Sequence, residues 1–342
     1  MSRDRRDRFG RYGRFAMVTA SVAVLAVTAS GCVVVHGERE IVPTATRAEA
    51  ARALKDFTTA YNEADEEYDR SLDADRVDGA LADIDGAKLK AGGENNPDGN
   101  PSHTPLRLSD AEFTIPEKAG WPRWFVADTA ANKGSRNSRW LLVFTRASAD
   151  DLWAVSYLTI LDADAVPEFE TDEDGNAQPV PADDEALAIA PEELGEAYAT
   201  YLGSTGDGDG EGSAGEAFAP GSHTSQWRTE RKKNEKRPGL ARQYIDEPLT
   251  KGAYAPVGLR TADGGALVFF ATRHFEKQTA APGVDIPVTD VNVRALMSGD
   301  VKSALTLEHV SNQAVLDPPR TASDQQVRFL SRVDGLTGAK GE

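Results

Sequence analysis

The sequence predicts an α+β protein in which helices fold against antiparallel sheet, and do so twice. Three observations carry this. The chain has 342 residues, enough for two ordinary domains. In each half, helix-period segments come first and strand-like runs follow, the order of α+β rather than of alternating α/β proteins. The run WFVADT…SRWLLVFTRAS of the first half is echoed locally by VGLRTADGGALVFFATRHF in the second. A single cysteine rules out an internal disulfide, so the fold has to stand on its apolar core. Hydrophobic residues make up 40% of the chain, against roughly 45–50% in typical soluble domains, which predicts loop-rich tracts between cores.

The first helix is announced by Thr46-Arg47-Ala48-Glu49, a capping box in which hydroxyl and carboxylate satisfy each other's end of the backbone. Behind it Ala50, Leu54, Phe57, Tyr61, Ala64 and Tyr68 recur at intervals of four and three, one face of an amphipathic helix. A second helix is predicted to carry Val77, Leu81 and Ile84, and AGGENNPDGNPSHTP (91–105) breaks it. Three strands follow, at 124–128, 139–146 and 152–161, rich in aromatic and β-branched residues. EFETDEDGNAQPVP reads as a hairpin-like excursion around Asp174-Gly175. A helix then begins near Pro191, carries Leu194, Tyr198, Tyr201 and Leu202, and ends at Gly203. GSTGDGDGEGSAG (203–215) is a loop by composition.

In the second half a helix is expected through SQWRTERKKNEK, with strands at 253–261 and 266–275 joined by a tight Ala262-Asp263-Gly264-Gly265 turn. A further strand spans 303–317, and 323–336 fits either a capped helix or a closing strand.

The N-terminus has its own logic. Residues 1–14 hold six arginines, and FAMVTASVAVLAVTAS follows without a charge, leading to Gly31-Cys32. A basic segment, an apolar stretch and small residues at a cut site describe a secretory signal. Ala29-Ser30-Gly31-Cys32 resembles the lipobox of bacterial lipoproteins. The resemblance implies cleavage between Gly31 and Cys32 and a diacylglyceryl thioether on Cys32. Two acyl chains hold a protein stably at a membrane where one does not. The rival reading is an uncleaved signal anchor from Phe15 to Val35, just long enough to cross a bilayer of ~30 Å. Arg5-Arg6 raises twin-arginine export, although no Phe-Leu pair follows at the expected offset. Either route puts the body outside the cytoplasmic membrane.

The expected organisation is therefore a lipoprotein signal peptide (1–31), a tether (32–45), a first α+β domain (46–166), an acidic linker or hairpin (167–190), and a second α+β domain (191–342). Helices on a curved antiparallel sheet resemble the nuclear-transport-factor-like or cystatin-like cone folds. By that likeness the chain holds two tandem cone domains. The likeness is one of pattern, and fold does not fix function.

Beyond residue 31 the chain carries 32 basic and 53 acidic residues, a net charge of −21. Such a polyanion is repelled by nucleic acid, so no nucleic-acid partner is expected. Residues 147–227 contain nineteen acids and no Lys or Arg.

Calcium is the tempting ligand. Asp172 and Asp174, and again Asp207 and Asp209, alternate before glycine as in an EF-hand loop. The position of the bidentate Glu falls on Pro181 and Phe218, so both loops lack it, and no metal or other cofactor is expected. No two of the five histidines stand at helical metal-pair spacing, but His274 and His309 lie in strand candidates and can meet across a sheet. The basic cluster from Arg228 to Arg242 suits either an anionic wall polymer or lipid headgroup, or a solvated helix face. Phe57, Tyr61, Trp140 and Tyr157 are placed to line a pocket between helix and sheet, or simply to pack there.

No P-loop, G-x-S-x-G elbow, G-x-G-x-x-G or H-E-x-x-H motif occurs. Signal, composition and pattern together resemble an actinobacterial exported lipoprotein of a family without assigned activity. The expected role is a non-enzymatic, membrane-anchored protein of the cell envelope that binds a ligand, an envelope protein or a wall polymer. The alternative is an anchored hydrolase of wall material.

Overall fold

In the computed structural model the described residues are 40–135, 137–203 and 217–342. The signal peptide, Gly31, Cys32 and the candidate calcium ligands Asp207 and Asp209 lie outside them. In chain order the elements are β1 (Val42–Pro43), α1 (Arg47–Glu67), α2 (Gly79–Asn95), β2 (Leu108–Thr114), β3 (Glu117–Lys118), β4 (Arg123–Ala131), β5 (Ser138–Arg146), β6 (Ala154–Asp162) and β7 (Pro179–Val180). Then come α3 (Leu194–Gly203), α4 (Ser225–Asn234), β8 (Lys236–Arg237), β9 (Leu240–Leu249), β10 (Val257–Arg260), β11 (Ala266–Ala280), α5 (Val291–Leu296), β12 (Met297–Ser298), β13 (Ala304–Asp317) and β14 (Arg328–Gly341).

The mixture of helix and antiparallel sheet is α+β, as the sequence predicts. A four-stranded sheet has the order β2-β4-β5-β6. A second sheet runs β12-β14-β13-β11-β10-β7, with β9 pairing the far part of β11 and β8 pairing β9. The two sheets lie face to face, and each outer face carries helices. The run Trp140-Leu141-Leu142-Val143-Phe144 shows why. Trp140, Leu142 and Phe144 point to α1, where Leu54 and Phe57 meet them. Leu141 and Val143 point to the other sheet, against Leu267, Phe269 and Val310. A strand covered on both faces has to be apolar throughout rather than alternating. β11 repeats the device, with Leu267, Phe269 and Ala271 facing the first sheet and Val268 and Phe270 facing Leu194 and Tyr198 of α3. Each fully buried Leu or Phe contributes about 1.5–3 kcal/mol.

The sheets are also pinned by one side chain. Asn312 of β13, wholly buried, donates Nδ2–H to the Leu158 carbonyl at 2.7 Å and accepts the Leu158 N–H at 3.4 Å. Leu158 stands on β6, the edge of the smaller sheet. A side-chain amide thereby closes an edge whose backbone groups would otherwise be buried without partners, at about 1–3 kcal/mol each.

The capping box forms as expected: Glu49 N–H donates to Thr46 Oγ1 at 3.1 Å and Thr46 N–H to Glu49 Oε2 at 2.8 Å. α1 ends where Tyr68 turns left-handed at φ 54°. Several expectations need correction. Val77 precedes α2 and bridges Val155 instead of lying on the helix. Residues 252–254 form a 3-10 turn, so the strand expected over 253–261 is only Val257–Arg260. The ambiguous 323–336 segment resolves as strand, β14. β2, β9 and α5 were not anticipated. Residues 167–190 are held along the larger sheet, by β7 on β10 and by bridges from Phe169 to Thr261 and from Leu187 to Pro319.

Candidate functional site

An open cleft of about 730 Å³ lies where the ends of the two sheets meet, within the size range of ligand sites. Its walls come from the end of β6 and the turn after it (Asp162, Asp164, Ala165, Val166, Glu168), from the β10–β11 hairpin (Thr261, Asp263), and from β13 and β14 (Leu316, Arg328, Leu330). The hairpin exists because Thr261-Ala262-Asp263-Gly264 turns tightly, with Gly264 at φ 85°, a left-handed conformation that glycine adopts without steric cost. Asp263 Oδ1 accepts from Thr261 Oγ1 at 2.5 Å and from the Gly265 N–H at 3.2 Å. Those two bonds, helped by the Arg328 charge, hold its carboxyl below the usual range. It is therefore a fixed carboxylate. Four carboxylates face a single guanidinium around this cleft, which suits a cationic or hydrogen-bond-donating ligand.

A smaller hollow of about 380 Å³ shares residues 166–168 as a wall and adds Glu112 and Asp128. Asp128 is paired with Arg139 at 2.6 Å. A larger depression of about 940 Å³ is lined by Ile189, Glu193, Ala197, Ala217 and Gln325.

The four aromatic pocket candidates are not brought together. Phe57, Tyr61 and Trp140 share the α1-facing core, with Phe57 5.4 Å from Tyr61 and edge-on to Phe144 at 6.0 Å. Tyr157 points the opposite way, into the layer between the sheets, where its hydroxyl donates to the Ala255 carbonyl at 3.1 Å. Tyr157 pairs with Val143 and alternates with the α1-facing Leu142–Leu158 pair, and the register shift next to it puts Val155, not Tyr157, on the α1 side. Of the calcium candidates, Asp172 uses both carboxylate oxygens to close its own turn. Oδ1 accepts from Asp174 N–H at 2.9 Å and Asn176 N–H at 2.8 Å, and Oδ2 accepts from Asn176 Nδ2 at 3.1 Å. Asp174 sits exposed at the tip of that turn.

Two clusters of ionisable groups lie inside the fold. Between α1 and α2, Asp65, Asp73 and Asp85 are each at most 5% exposed. Lys88 reaches Asp65 at 2.7 Å and Asp85 at 3.8 Å, and His103 Nδ1 lies 3.0 Å from Asp65. Burial and the neighbouring Asp85 charge push the Asp73 carboxyl up to about 8, and burial raises Asp85 as well. Burial also drives the Tyr61 hydroxyl up to about 12.

Beneath α4, the guanidinium of Arg231 makes two bonds to Asp246 of β9, at 2.6 and 2.9 Å. It is held between the rings of Trp227 and Tyr244, 4.9 Å from each. Arg231 thus leaves the basic surface cluster expected from the sequence, its side chain only 5% exposed. Arg242 pairs with Glu276 at 3.1 Å.

Comparison with known proteins adds kinship without an activity. An uncharacterised lipoprotein of Streptomyces avermitilis is 62% identical over the whole of both chains. One from Streptomyces coelicolor is 59% identical over 95% of this chain and 94% of its own. A second from that organism is 26% identical over 95% and 93%. No solved structure matches the chain. The profile described as "Domain of unknown function (DUF8094)" matches residues 41–341, and the chain belongs to that family.

Proposed function

We propose that the chain is a lipid-anchored binding protein on the extracytoplasmic face of the cell membrane, held there by acyl chains on Cys32. Its ligand is a small amine-bearing molecule of the cell envelope, taken up in the cleft between the two sheets. The observation that carries this is the cleft itself, about 730 Å³, with four carboxylates from two separate chain segments, 162–168 and the β10–β11 hairpin, around one arginine. The lipobox and the lipoprotein names of the Streptomyces relatives support the anchor. No helix among the described residues is long and apolar enough to cross a membrane. The finer architecture we infer is two helix-on-sheet units of the cone type, 46–166 and 191–342, supported by each sheet having its own helices.

The carboxyl-acid form of the hydrolase alternative, as in glycosidases, needs a carboxyl that is protonated near neutral pH and within reach of a substrate. Burial pushes up Asp73, to about 8, and Asp317, to about 7. Both are only 1% exposed, too deep to touch a molecule in an open cleft. This disfavours a carboxyl-acid hydrolase working through Asp73 or Asp317 in that cleft.

The test uses the full chain in detergent with spermidine and trilysine as probes, followed by calorimetry. Saturable binding that weakens with salt is expected. The Asp164→Asn/Glu168→Gln variant is expected to bind about tenfold less tightly at low ionic strength, since exposed charge pairs contribute about 0.2–1 kcal/mol each. Absence of saturable binding, or equal binding by the variant, overturns the cleft as an amine site.

A further inference from the structure

His274 of β11 and His309 of β13 are cross-strand partners in direct register. Their rings stack with centroids 4.7 Å apart and planes 16° from parallel. On the next strand, Asp334 of β14 stands opposite Ser311 and turns its carboxylate to both histidines. Oδ2 lies 3.1 Å from His309 Nδ1, and Oδ1 lies 3.8 Å from His274 Nδ1. One donor atom from each of the three residues falls within 4.8 Å of the others. Three adjacent strands of one hydrogen-bonded sheet thus gather two imidazole nitrogens and a carboxylate within 4.8 Å of one another, and rotation of one imidazole out of the stack would bring all three onto a single ion.

We propose that His274, His309 and Asp334 form a binding site for a divalent first-row transition-metal ion of the zinc class. Zinc binds imidazole nitrogen and carboxylate oxygen at about 2.0–2.2 Å. Tetrahedral ligands at that radius stand about 3.3 Å apart, close to the 3.1 Å between His309 Nδ1 and Asp334 Oδ2, while His274 Nδ1, 3.8 Å from the other carboxylate oxygen, has to move inward on binding. The donor set suits this class rather than calcium or magnesium, which take oxygen ligands. His274 is enclosed, its side chain 6% exposed, whereas His309 at 23% and Asp334 at 30% open the site to solvent. That opening gives the ion an entry path and leaves a position for water.

One group competes. Arg332 Nη2 donates to Asp334 Oδ1 at 2.8 Å and lies 3.4 Å from His274 Nδ1. The same guanidinium packs over the Trp227 ring, 5.0 Å from its centroid. Arg332 is therefore the protein's own cation at the carboxylate, and an entering ion has to take Asp334 from it. This yields a signature that adventitious binding by surface carboxylates does not share. Removing a ligand weakens binding, while removing the arginine strengthens it.

The experiment titrates the full chain in detergent with Zn²⁺ by calorimetry, and with Co²⁺ to read the visible bands of a low-symmetry site. The expected result is one ion per chain. Affinity should fall at least about a hundredfold in His309→Ala and in Asp334→Asn, both partly exposed positions, and rise several-fold in Arg332→Met. Circular dichroism of each variant confirms that it folds. The proposal is overturned by wild-type protein that takes up neither ion at 50 µM or so, by His309→Ala binding as tightly as wild type, or by weaker binding in a folded Arg332→Met. Because the site shares no residue with the lining of the cleft, failure here leaves the amine-binding reading to its own test.

Discussion

Replacing Arg231 by methionine is expected to destabilise the fold by about 3–5 kcal/mol. The reason is the partner left behind. Asp246 is only 6% exposed at its side chain, and without the guanidinium it is a buried charge lacking its counter-ion. Rings on both sides of the arginine add to the loss, since Trp227 and Tyr244 flank it at 4.9 Å and such contacts contribute about 0.5–2 kcal/mol. Lysine is no substitute, because a point-like ammonium cannot make the paired bonds at 2.6 and 2.9 Å. Urea unfolding of wild type, Arg231→Met and Arg231→Met/Asp246→Leu separates the terms. The double variant should recover much of the loss, because a buried ion pair replaced by apolar groups of similar size is often neutral. A loss under about 1 kcal/mol in the single variant would show that Asp246 finds water or another donor.

The second large effect is a stability that falls as pH rises. Asp73 takes up its proton far more readily in the folded chain, near pH 8, than in the unfolded chain, near 3.9. The folded state therefore holds the extra proton between about pH 4 and pH 8. Stability contributed by that proton is complete below pH 4 and is lost as pH climbs towards 8, by up to about 1.4 kcal/mol per pH unit. Asp85, which adjoins Asp73, also has its carboxyl raised, and faces Lys88, Asp65 and Tyr61. Asp317 has the same sign with a value of about 7, so part of the slope survives any change at Asp73. Asp73→Asn supplies a neutral amide that can donate to Asp85. It is expected to flatten the dependence of unfolding free energy on pH between 5 and 8 and to stabilise the protein at pH 8. Parallel wild-type and variant curves would contradict the shared proton.

Much of the fold was legible because local chemistry and the final structure agree. The capping box at Thr46 and Glu49 starts α1 where the sequence says. The unbroken apolar runs at 140–144 and 266–271 became central strands, covered on both faces. The misses have physical causes. β9 is not legible in the sequence because Arg242, Gln243, Asp246, Glu247 and Pro248 look like surface, and only pairing with β11 and the contact of the Asp246 side chain with Arg231 hold it as a strand. Tyr157 and Val155, two positions apart, face opposite sides because a register shift lies between them, and a period of two carries no sign of it.

The candidate sites were less visible. The cleft is assembled from five segments, with Asn137 and Arg328 191 positions apart, and no spacing rule links them. The meeting of His274 and His309 was foreseen from their strands, but Asp334 lay in the stretch that fitted helix or strand equally. Its place beside them depends on β14 being a strand in a particular register. Asp73 and Asp85 are joined by the fold of the α1–α2 connection, and nothing in their sequence neighbours marks either as buried.

The account as a whole depends on an anchored, exported chain, and its most direct test is mass spectrometry of the N-terminal peptide from protein recovered from native membranes. The account predicts a chain that begins at Cys32 and carries a diacylglyceryl group on sulfur. A chain that begins at Met1 with the Cys32 thiol free would contradict it.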